Sequence, residues 1–563
     1  MAVDGAGRPP ARIATLTAIA VALGLGLSQA FLAAPGHGKD ELAHTGYLVA
    51  LADGHLPTLD TPIEGPEGAD DLGTAFDRMV AENVAAGRDD RDLVWVANHP
   101  PGAYLPALPG AWLARATGQG EAALISLRLA NVLGMGLAVG LTALLAREIT
   151  GSGVAGAVAA GVMAAVPHLG ATTALGMTDG LTLAAVVGVV WAVTRAVGRD
   201  FDRGATAVVA GFAVACGATR ISALATALAV VGLGLAVVSV RRGRIVWAAA
   251  GAIAGAVAAA CGWFYLRNAV LYGDPAGSSM LLERYDRSPN GSLLDVMLDG
   301  HLWTLVARTL AASRFANVVA GVPVVRGLDG PASMAALVAV ALAAAVVGRS
   351  LWRGDPTPLA RRRVAQGAHR GRAPRPVGWA LLATAVFANW VAAAQHVAGG
   401  GLAHPRYLMV AIPAAACAVA AACTRLAAGL RGPGAARRAG LALSVPVAAV
   451  LLYNLAGAPE AVDRLRHTDA VGGAVSLGPG WSIVIPLAMT VVAAWLLLRA
   501  LGRCGAALVA PTSAAQGDAW EGAGVLAGLD RDLAVDHRQV VAGGALHPPT
   551  GTAGEVVAEL GDR

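Results

Sequence analysis

Residues 221–240 have the sequence ISALATALAVVGLGLAVVSV and are followed at once by Arg241, Arg242 and Arg244. An uncharged apolar run of this length forms a helix about 30 Å long, which matches the hydrocarbon thickness of a bilayer. Arginines directly after such a segment are typical of its cytoplasmic end. The stretch therefore predicts a transmembrane helix, and the same pattern returns along most of the chain.

The composition of the whole chain supports this interpretation. Of the 563 residues, 56% are hydrophobic and 14% are charged, and the mean hydropathy is +0.59, whereas a soluble domain carries about 25% charged residues. These values exclude a soluble enzyme fold as the main architecture, and long apolar runs disfavour a transmembrane barrel. The net charge of +5 does not indicate nucleic acid, and the five cysteines lack metal-ligand spacing. The predicted fold class is all-α, a polytopic bundle of about twelve membrane helices.

Twelve apolar segments are long enough to cross ~30 Å of hydrocarbon as helices. They lie at 13–34, 126–146, 152–170, 180–198, 204–218, 221–240, 245–265, 331–348, 377–397, 406–424, 439–457 and 481–501. The first is too long for a signal-peptide core, so we expect it to be retained as a membrane span. The fifth is short, and the sequence leaves its boundary with the sixth undefined.

The side of the membrane on which each later loop lies depends on whether the proline-rich segment His99–Thr117 crosses the bilayer. Its four prolines disfavour a regular helix. If this segment does not cross and the N-terminus lies inside, the arginine-rich loops all fall on the cytoplasmic side, as the positive-inside bias requires. We therefore expect an interfacial or re-entrant element on the outer face, long outer loops at 35–126 and 267–331, and both termini in the cytoplasm.

This topology gives a simple domain organisation. Residues 1–504 are predicted to form a transmembrane domain in the plasma membrane, and residues 505–563 a poorly ordered cytoplasmic tail. Within the first outer loop, 42–53 and 73–86 have the composition of surface helices. Nine of the twelve histidines lie at or near predicted outer ends of spans or in predicted outer loops, so the chemistry of the protein is expected on that side.

The strongest local motif is the sequence KDELAH at residues 39–44, directly after the first span. Asp40 and Glu41 are adjacent carboxylates, and His44 lies about one helical turn further on. A neighbouring like charge and partial burial raise the pKa of a carboxylate, which can prepare it as a general base. The alternative is an ordinary solvated helix start, in which the acids complement the helix dipole.

Two further polar motifs are candidates for ligand contacts. In the sequence NHPPGAY at residues 98–104, prolines fix an extended entry that can point His99 and Tyr104 towards a ligand, although the motif also fits a loop corner. Thr178-Asp179 follows the third span, where an acid can bind a cation or a sugar hydroxyl. Thr and Asp are also good helix caps, so a purely structural role is the alternative.

Three arginines break the positive-inside pattern because they lie at predicted outer ends of spans. Arg267 follows the aromatic residues 263–265, Arg406 opens the tenth span, and Arg220 lies between spans five and six. An outward arginine suits an anionic head group or a phosphate. Each arginine by itself could instead extend to lipid head groups, but together with an acidic outer loop they indicate a site for a phosphate-bearing lipid and a carboxylate base.

The ordered set of motifs resembles the GT-C superfamily of polytopic glycosyltransferases. The branch it resembles holds the protein O-mannosyltransferases, the aminoarabinose lipid A transferases and the RgtA/B/C/D-like bacterial enzymes. The likeness spans residues 13–500 and rests on five short motifs: Asp40-Glu41, His99-Pro100-Pro101, Thr178-Asp179, Trp263 to Tyr272 with Arg267-Asn268, and His404-Pro405-Arg406-Tyr407. The last motif departs from the Gly-Arg-Tyr often found in the family, and the first outer loop is long.

The resemblance implies a role for each candidate residue. Asp40 is the expected general base, with Glu41 assisting. Asp179 is expected to arrange the acceptor, and Arg267 and Arg406 to hold the lipid phosphate. Further substrate-binding candidates are His44, His99, Tyr104, Arg220, Asn268, Tyr272, His404 and Tyr407. No cofactor is required, and a divalent cation is left open with Asp40 and Asp179 as its ligands.

The sequence therefore predicts an integral membrane glycosyltransferase. It would move a sugar from a polyprenyl-phosphate donor to an envelope glycan, lipid or protein acceptor on the outer face, with inversion at the anomeric carbon and without nucleic acid. The main alternative is a transporter or flippase-like protein of envelope polysaccharide, since twelve spans also fit a carrier. Carriers place their binding residues at the bilayer midplane, whereas the polar groups here fall in two long outer loops. A non-catalytic membrane protein is the third possibility.

Overall fold

The computed structural model describes six stretches of the chain. They are residues 8–33, 40–63, 93–311, 329–353, 375–455 and 481–509. The predicted surface helix at 73–86 and residues 510–563 of the predicted tail lie outside the described residues. The described residues contain no named strand, and a single bridge pairs Pro62 with Leu93. The fold is therefore all-α, as predicted.

Nineteen α-helices account for most of the described residues. They are α1 (Arg8–Leu32), α2 (Glu41–Ala52), α3 (Leu108–Thr117), α4 (Glu121–Thr150), α5 (Gly153–Ala165), α6 (Pro167–Thr173), α7 (Asp179–Gly198), α8 (Arg203–Thr219), α9 (Ile221–Arg242), α10 (Trp247–Val257), α11 (Trp263–Tyr272), α12 (Ser278–Arg284), α13 (Leu293–Leu298), α14 (Gly300–Ala311), α15 (Asp329–Trp352), α16 (Arg375–Ala398), α17 (Ala411–Gly429), α18 (Ala435–Leu455) and α19 (Trp481–Val509). A π-helical segment, Ala258–Gly262, joins α10 to α11.

Ten described helices are long and apolar enough to cross a membrane, counting α10 to α11 as one. The predicted span at 152–170 is a bent pair, because Pro167 starts α6 at an angle of 63° to α5. Counting this pair gives eleven. The predicted span at 204–218 is α8, a helix of 17 residues that is shorter than the length a crossing usually needs. The polytopic class is confirmed, and the number twelve is not.

The proline-rich segment at His99–Thr117 does not form a spanning helix. It folds as two short 3-10 turns, Pro101–Ala103 and Leu105–Ala107, followed by α3. At 1.5 Å per residue, the ten residues of α3 extend about 15 Å, which is half of what a crossing needs. This agrees with the predicted interfacial or re-entrant element.

Small residues let the central helices approach closely. In α4, a Cβ at Gly134 would lie 2.4 Å from the backbone nitrogen of Leu181, and a Cβ at Gly180 would lie 2.1 Å from the carbonyl oxygen of Asn131. Membrane helices are expected to pack through such residues, since lipid provides no hydrophobic force between them. Helices α4 and α7 are therefore in backbone contact at the start of α7, which carries Asp179.

Several helix ends meet on one side of the bundle, which we call the outer end after the predicted topology. Contacts described below join the last turn of α1, the start of α2, the first turns of α4 and α7, the break between α8 and α9, and the turn before α17. At the other ends of α7 and α9, Arg241 and Arg242 pair with Asp200 at 3.0 and 3.6 Å. This arrangement agrees with arginine-rich loops that share one side of the membrane.

Candidate functional site

The centre of the site is an ion pair between Asp40 and Arg406. Asp40 directly precedes α2, and its carboxylate accepts a hydrogen bond from Nη2 of Arg406. Nε1 of Trp95 donates to the other carboxylate oxygen at 3.4 Å. The carboxylate thus bonds to side chains from distant segments instead of capping its own helix. The side chains of Asp40 and Arg406 are 20% and 14% exposed, so water screens the pair only weakly.

The charge state of Asp40 follows from these contacts. Burial raises the pKa of Asp40, but the charge and hydrogen bond of Arg406, together with His44 and the hydrogen bond from Trp95, outweigh burial and hold that pKa well below its ordinary value. The sequence argument expected a raised pKa, and this expectation is wrong for Asp40 because it did not include the arginine. Asp40 is therefore ionised at neutral pH and can accept a proton.

The turn that carries Arg406 is held by its own sequence. Residues Pro405–Leu408 form a 3-10 turn, and the Nδ1 atom of His404 accepts from the backbone N–H of Arg406 at 3.1 Å. The guanidinium carbon lies 5.2 Å from the ring centre of Tyr407, and Nη2 donates to the Tyr407 hydroxyl at 3.4 Å. His404 and Tyr407 therefore orient the guanidinium of Arg406 towards Asp40. The Nε atom of Arg406 is buried and has no hydrogen-bond partner in the described part of the chain.

Glu41 faces away from this pair. Both carboxylate oxygens accept from Arg128, at 2.7 Å from Nε and 2.8 Å from Nη2, and one of them also accepts from the backbone N–H of Gly176 at 2.7 Å. Glu41 and Arg128 are 0% and 1% exposed. The geometry thus gives Glu41 a structural contact in place of the expected assistance to Asp40. Removing one partner of a buried ion pair costs about 3–5 kcal/mol.

A second carboxylate–arginine pair involves Asp179, at the start of α7. Nη1 of Arg220 lies 3.1 Å from Oδ1 of Asp179, and Nε of Arg220 donates to the Thr178 hydroxyl at 3.2 Å. The alternative role of Thr178 and Asp179 as helix caps is therefore replaced by pairing with Arg220. Oδ2 of Asp179 is buried and lacks a partner among the described residues. Nη1 of Arg406 lies 3.0 Å from the sulfur of Met177, two residues before Asp179, so the two pairs form one charged cluster.

Two histidines and two tyrosines pack beside this cluster. Nδ1 of His44 lies 2.6 Å from the Tyr104 hydroxyl, and the rings of Tyr104 and Tyr47 stack at 4.1 Å. The Tyr47 hydroxyl donates to the carbonyl oxygen of His99 at 2.9 Å. Burial lowers the pKa of His44 to about 3 and lowers the pKa of His99. Both imidazoles are therefore neutral and act as hydrogen-bonding groups at neutral pH.

The candidate residues of α11 make different contacts. Nη2 of Arg267 donates to the carbonyl oxygen of Pro57 at 2.7 Å, and its guanidinium lies 5.7 Å from the ring centre of Phe264. Asn268 donates to the carbonyl oxygens of Asn98 and Pro275 at 3.0 and 3.3 Å. The Tyr272 hydroxyl accepts from the backbone of Leu59 at 3.2 Å. These three residues hold the loops of the outer end together, whereas Arg406 and Arg220 pair with the carboxylates.

Sequence reasoning missed Arg128 and Asn131, which lie one turn apart on α4. Arg128 holds Glu41, and Asn131 bonds to the backbone on both sides of Asp179, at Leu175 and Gly180. A signal was present in the sequence, because Arg128 and Asn131 lie inside a predicted span, and polar residues at such positions are often functional. Trp95, the second partner of Asp40, lay in a long loop that carried no recognised motif.

The sequence left open a divalent cation with Asp40 and Asp179 as its ligands. The described residues contain no group of three or more His, Cys, Asp or Glu side chains that could hold one. Asp40 and Asp179, the two ligands expected if a cation binds, each pair with an arginine instead. Their negative charges are therefore already balanced by the protein.

Comparisons with known proteins give matches at the level of structure. No protein-family model and no curated protein matches the sequence. Among solved structures, ArnT from Cupriavidus metallidurans bound to undecaprenyl phosphate is similar, with a TM-score of 0.42 and 16% identity over 88% of this chain and 76% of that chain. The same protein in the apo state is similar at a TM-score of 0.35 and 16% identity, over 82% of this chain and 74% of that chain.

An archaeal enzyme is also similar. The oligosaccharyltransferase AglB from Archaeoglobus fulgidus, solved with an inhibitory peptide and a dolichol-phosphate, has a TM-score of 0.40 and 14% identity over 78% of this chain. The match spans 55% of the AglB chain. ArnT and AglB both belong to the GT-C superfamily that the sequence motifs resemble.

Proposed function

We propose that the protein is a membrane glycosyltransferase that moves a sugar from a polyprenyl-phosphate donor to a hydroxyl-bearing acceptor at the outer end of the bundle. The observation that carries the proposal is the contact between Asp40 and Arg406. A carboxylate that can take a proton and a cation that can hold a phosphate lie side by side in a weakly screened site. Transfer from a lipid phosphate needs both groups.

In the proposed reaction, the acceptor oxygen attacks the anomeric carbon of the donor. The bond between that carbon and the phosphate oxygen breaks, and polyprenyl phosphate leaves with the electron pair. The acceptor proton passes to Asp40, and the anomeric centre inverts because attack and departure occur on opposite faces. Arg406 stabilises the negative charge that develops on the leaving phosphate.

The low pKa of Asp40 suits this chemistry. A strongly ionised carboxylate is a weak base towards a free alcohol, but the hydroxyl becomes acidic as its oxygen bonds to the anomeric carbon. Transfer of the proton to Asp40 also removes the negative charge that holds Arg406. We propose that this adds Nη2 of Arg406 to the Nε atom, which can hold the donor phosphate from the start, at the moment when the phosphate gains charge.

Asp179 and Arg220 support the same site. The buried Oδ2 atom of Asp179 can accept a hydrogen bond from a sugar or acceptor hydroxyl. The neutral imidazoles of His44 and His99 add hydrogen-bonding groups without adding charge. We propose that the acceptor is an envelope glycan, lipid or protein, and that the site faces outwards, as the arginine-rich loops on the opposite side favour.

The proposal is tested with the purified full-length protein in lipid vesicles. Sugars linked to polyprenyl phosphate are supplied as a panel, with delipidated envelope extract as acceptor, and the release of polyprenyl phosphate and the labelled product are both measured. We expect product with at least one donor, and retention or inversion is read by NMR. If labelled lipid moves across the bilayer without transfer, the alternative of a flippase-like protein is favoured and the proposal fails.

A further inference from the structure

Helix α4 contacts the residues that are next in sequence to the two carboxylates of the site, Glu41 beside Asp40 and Gly180 beside Asp179. Arg128 and Asn131 lie one turn apart in α4, and both are completely or almost completely buried, at 1% and 0% exposure. In the described part of the chain, the hydrogen bonds of these two side chains go to residues other than Asp40 and Asp179. Their contacts are with the residues next to these carboxylates, and this determines where the carboxylates can lie.

Arg128 joins three separate segments. Its Nη1 atom donates to the carbonyl oxygens of Ala30 and Ala33 at 2.7 Å each, where α1 ends. Ala30 belongs to the last turn of α1, where carbonyl oxygens have no partner within the helix, and Ala33 directly follows the helix. Its Nε and Nη2 atoms hold both oxygens of Glu41, the residue after Asp40. The planar guanidinium can make these four bonds at once, which an ammonium cannot.

The same contacts extend to the second carboxylate. Glu41 accepts from the backbone N–H of Gly176, three residues before Asp179. A Cβ at Gly176 would lie 3.1 Å from Cγ of Glu41, so a larger residue there would require the Glu41 side chain to shift by a few tenths of an ångström. One buried ion pair thus fixes the chain before α2 and the chain before α7 to each other.

Asn131 fixes the second segment independently. Its amide nitrogen donates to the carbonyl oxygen of Leu175 at 2.9 Å, and its amide oxygen accepts from the backbone N–H of Gly180 at 2.5 Å. The loop 175–180 is therefore held at both ends by one side chain. Arg128 acts on both carboxylate segments, and Asn131 acts on the segment of Asp179 alone.

From this arrangement we infer that Arg128 and Asn131 are positioning residues that set the distance between Asp40 and Asp179. The inference rests on the proposed function for its catalytic consequence. Its structural part does not, because the contacts exist whatever the reaction is. Arg128→Lys should loosen both segments, Asn131→Ala should loosen one, and neither change removes a group that touches the proposed substrates.

Hydrogen–deuterium exchange of the purified full-length protein tests the structural part. In Arg128→Lys we expect faster exchange in peptides covering 40–48 and 174–181. In Asn131→Ala we expect faster exchange in 174–181 with 40–48 unchanged. The matched control is Arg147→Lys, an exposed arginine at the other end of α4, which should leave both peptides unchanged. Unchanged exchange in both segments of the Arg128→Lys protein overturns the inference, whatever the activity.

Steady-state kinetics test the catalytic part with a polyprenyl-phosphate-linked sugar that the wild type accepts. Because a misplacement of about 1 Å can cost about 100-fold in rate, we expect kcat of Arg128→Lys to fall by about that factor while KM for the donor changes little. A residue needed only for folding would lower the yield and leave kcat per folded molecule unchanged, and that result overturns the inference. If the wild type transfers no sugar from any donor, the proposed function fails, and the exchange pattern alone decides the positioning role.

Discussion

Arg406 and Asp40 are 366 residues apart in the chain and form an ion pair. The turn at His404 to Tyr407 and the start of α2 must both be in place for this contact. It joins the motif that follows the first span to the motif that opens the tenth. Asp40, the proposed base, is therefore held in its ionised form by Arg406 only when the bundle has packed correctly.

Arg406→Ala is expected to weaken binding of the lipid-phosphate donor. A hydrogen bond to a charged group contributes about 1.5–3 kcal/mol, which corresponds to a loss of about 10-fold to 100-fold in affinity. Binding of the polyprenyl-phosphate sugar to the purified variant is measured directly. The control is Arg115→Ala, which removes an exposed pair with Asp53 and should leave donor binding unchanged. Equal affinity of Arg406→Ala and wild type would remove Arg406 from the phosphate site.

The pH dependence of this variant gives a second test. The pKa of Asp40 is lower in the folded protein than in the unfolded chain. The ionised Asp40 therefore stabilises the fold at neutral pH, and this stabilisation is lost as the pH falls from the unfolded pKa through the folded pKa. Wild-type kcat/KM should therefore show no acid limb from Asp40 between about pH 5 and pH 8. Without Arg406, burial raises the pKa of Asp40, and the ratio of variant to wild-type kcat/KM should fall as pH decreases. A ratio that is constant across this range would show that Arg406 does not control the ionisation of Asp40.

Removal of divalent cations is expected to leave turnover unchanged. Asp40 and Asp179 already pair with Arg406 and Arg220, so an added cation would have to displace an arginine. Wild-type transfer is measured after dialysis against EDTA, and again after Mg²⁺, Mn²⁺ or Zn²⁺ is added back. Loss of transfer that one of these ions restores would contradict the view that arginines balance both carboxylates.

The predicted topology is tested by labelling α3 from the outside. Leu113 is 54% exposed and accepts a cysteine without a clash, whereas a Cβ at Gly110 would lie 2.1 Å from Cβ of Ser126. Leu113→Cys in intact cells should react with a membrane-impermeant maleimide. The wild-type protein, whose described cysteines are buried or partly buried, is the control. Reaction of position 113 only from the cytoplasmic side would reverse the topology.

Much of the fold could be predicted because apolar runs and arginine-rich loops are local signals. Each of the twelve predicted segments corresponds to a described helix or helix pair. The number of spanning helices is lower than twelve because α8 is too short and because the segment at 152–170 bends at Pro167. The helix predicted at 42–53 is α2, within one residue at each end, but residues 41–50 of α2 are buried in the protein, so the expected surface position is wrong. These features depend on hydropathy and proline positions that the sequence displays directly.

The partners within the site could not be predicted, because they are set by tertiary packing. Nothing near Glu41 in the sequence indicates that Arg128, 87 residues later, would hold it. Asp40 and Glu41 were expected to act together, yet the two adjacent side chains point in different directions, Asp40 to Arg406 and Glu41 to Arg128. Arg267 and Arg406 likewise look equivalent as outward arginines, and only the structure distinguishes the one that contacts backbone from the one that contacts Asp40.

The most direct test of the central claim is the turnover of Asp40→Asn measured together with donor binding. A lost general base typically lowers the rate by about 100-fold to 10,000-fold. The account predicts a loss of transfer in that range by a folded variant that still binds the polyprenyl-phosphate sugar at least as tightly as wild type, since Arg406 is then free of its carboxylate partner. Transfer at the wild-type rate by Asp40→Asn would contradict it.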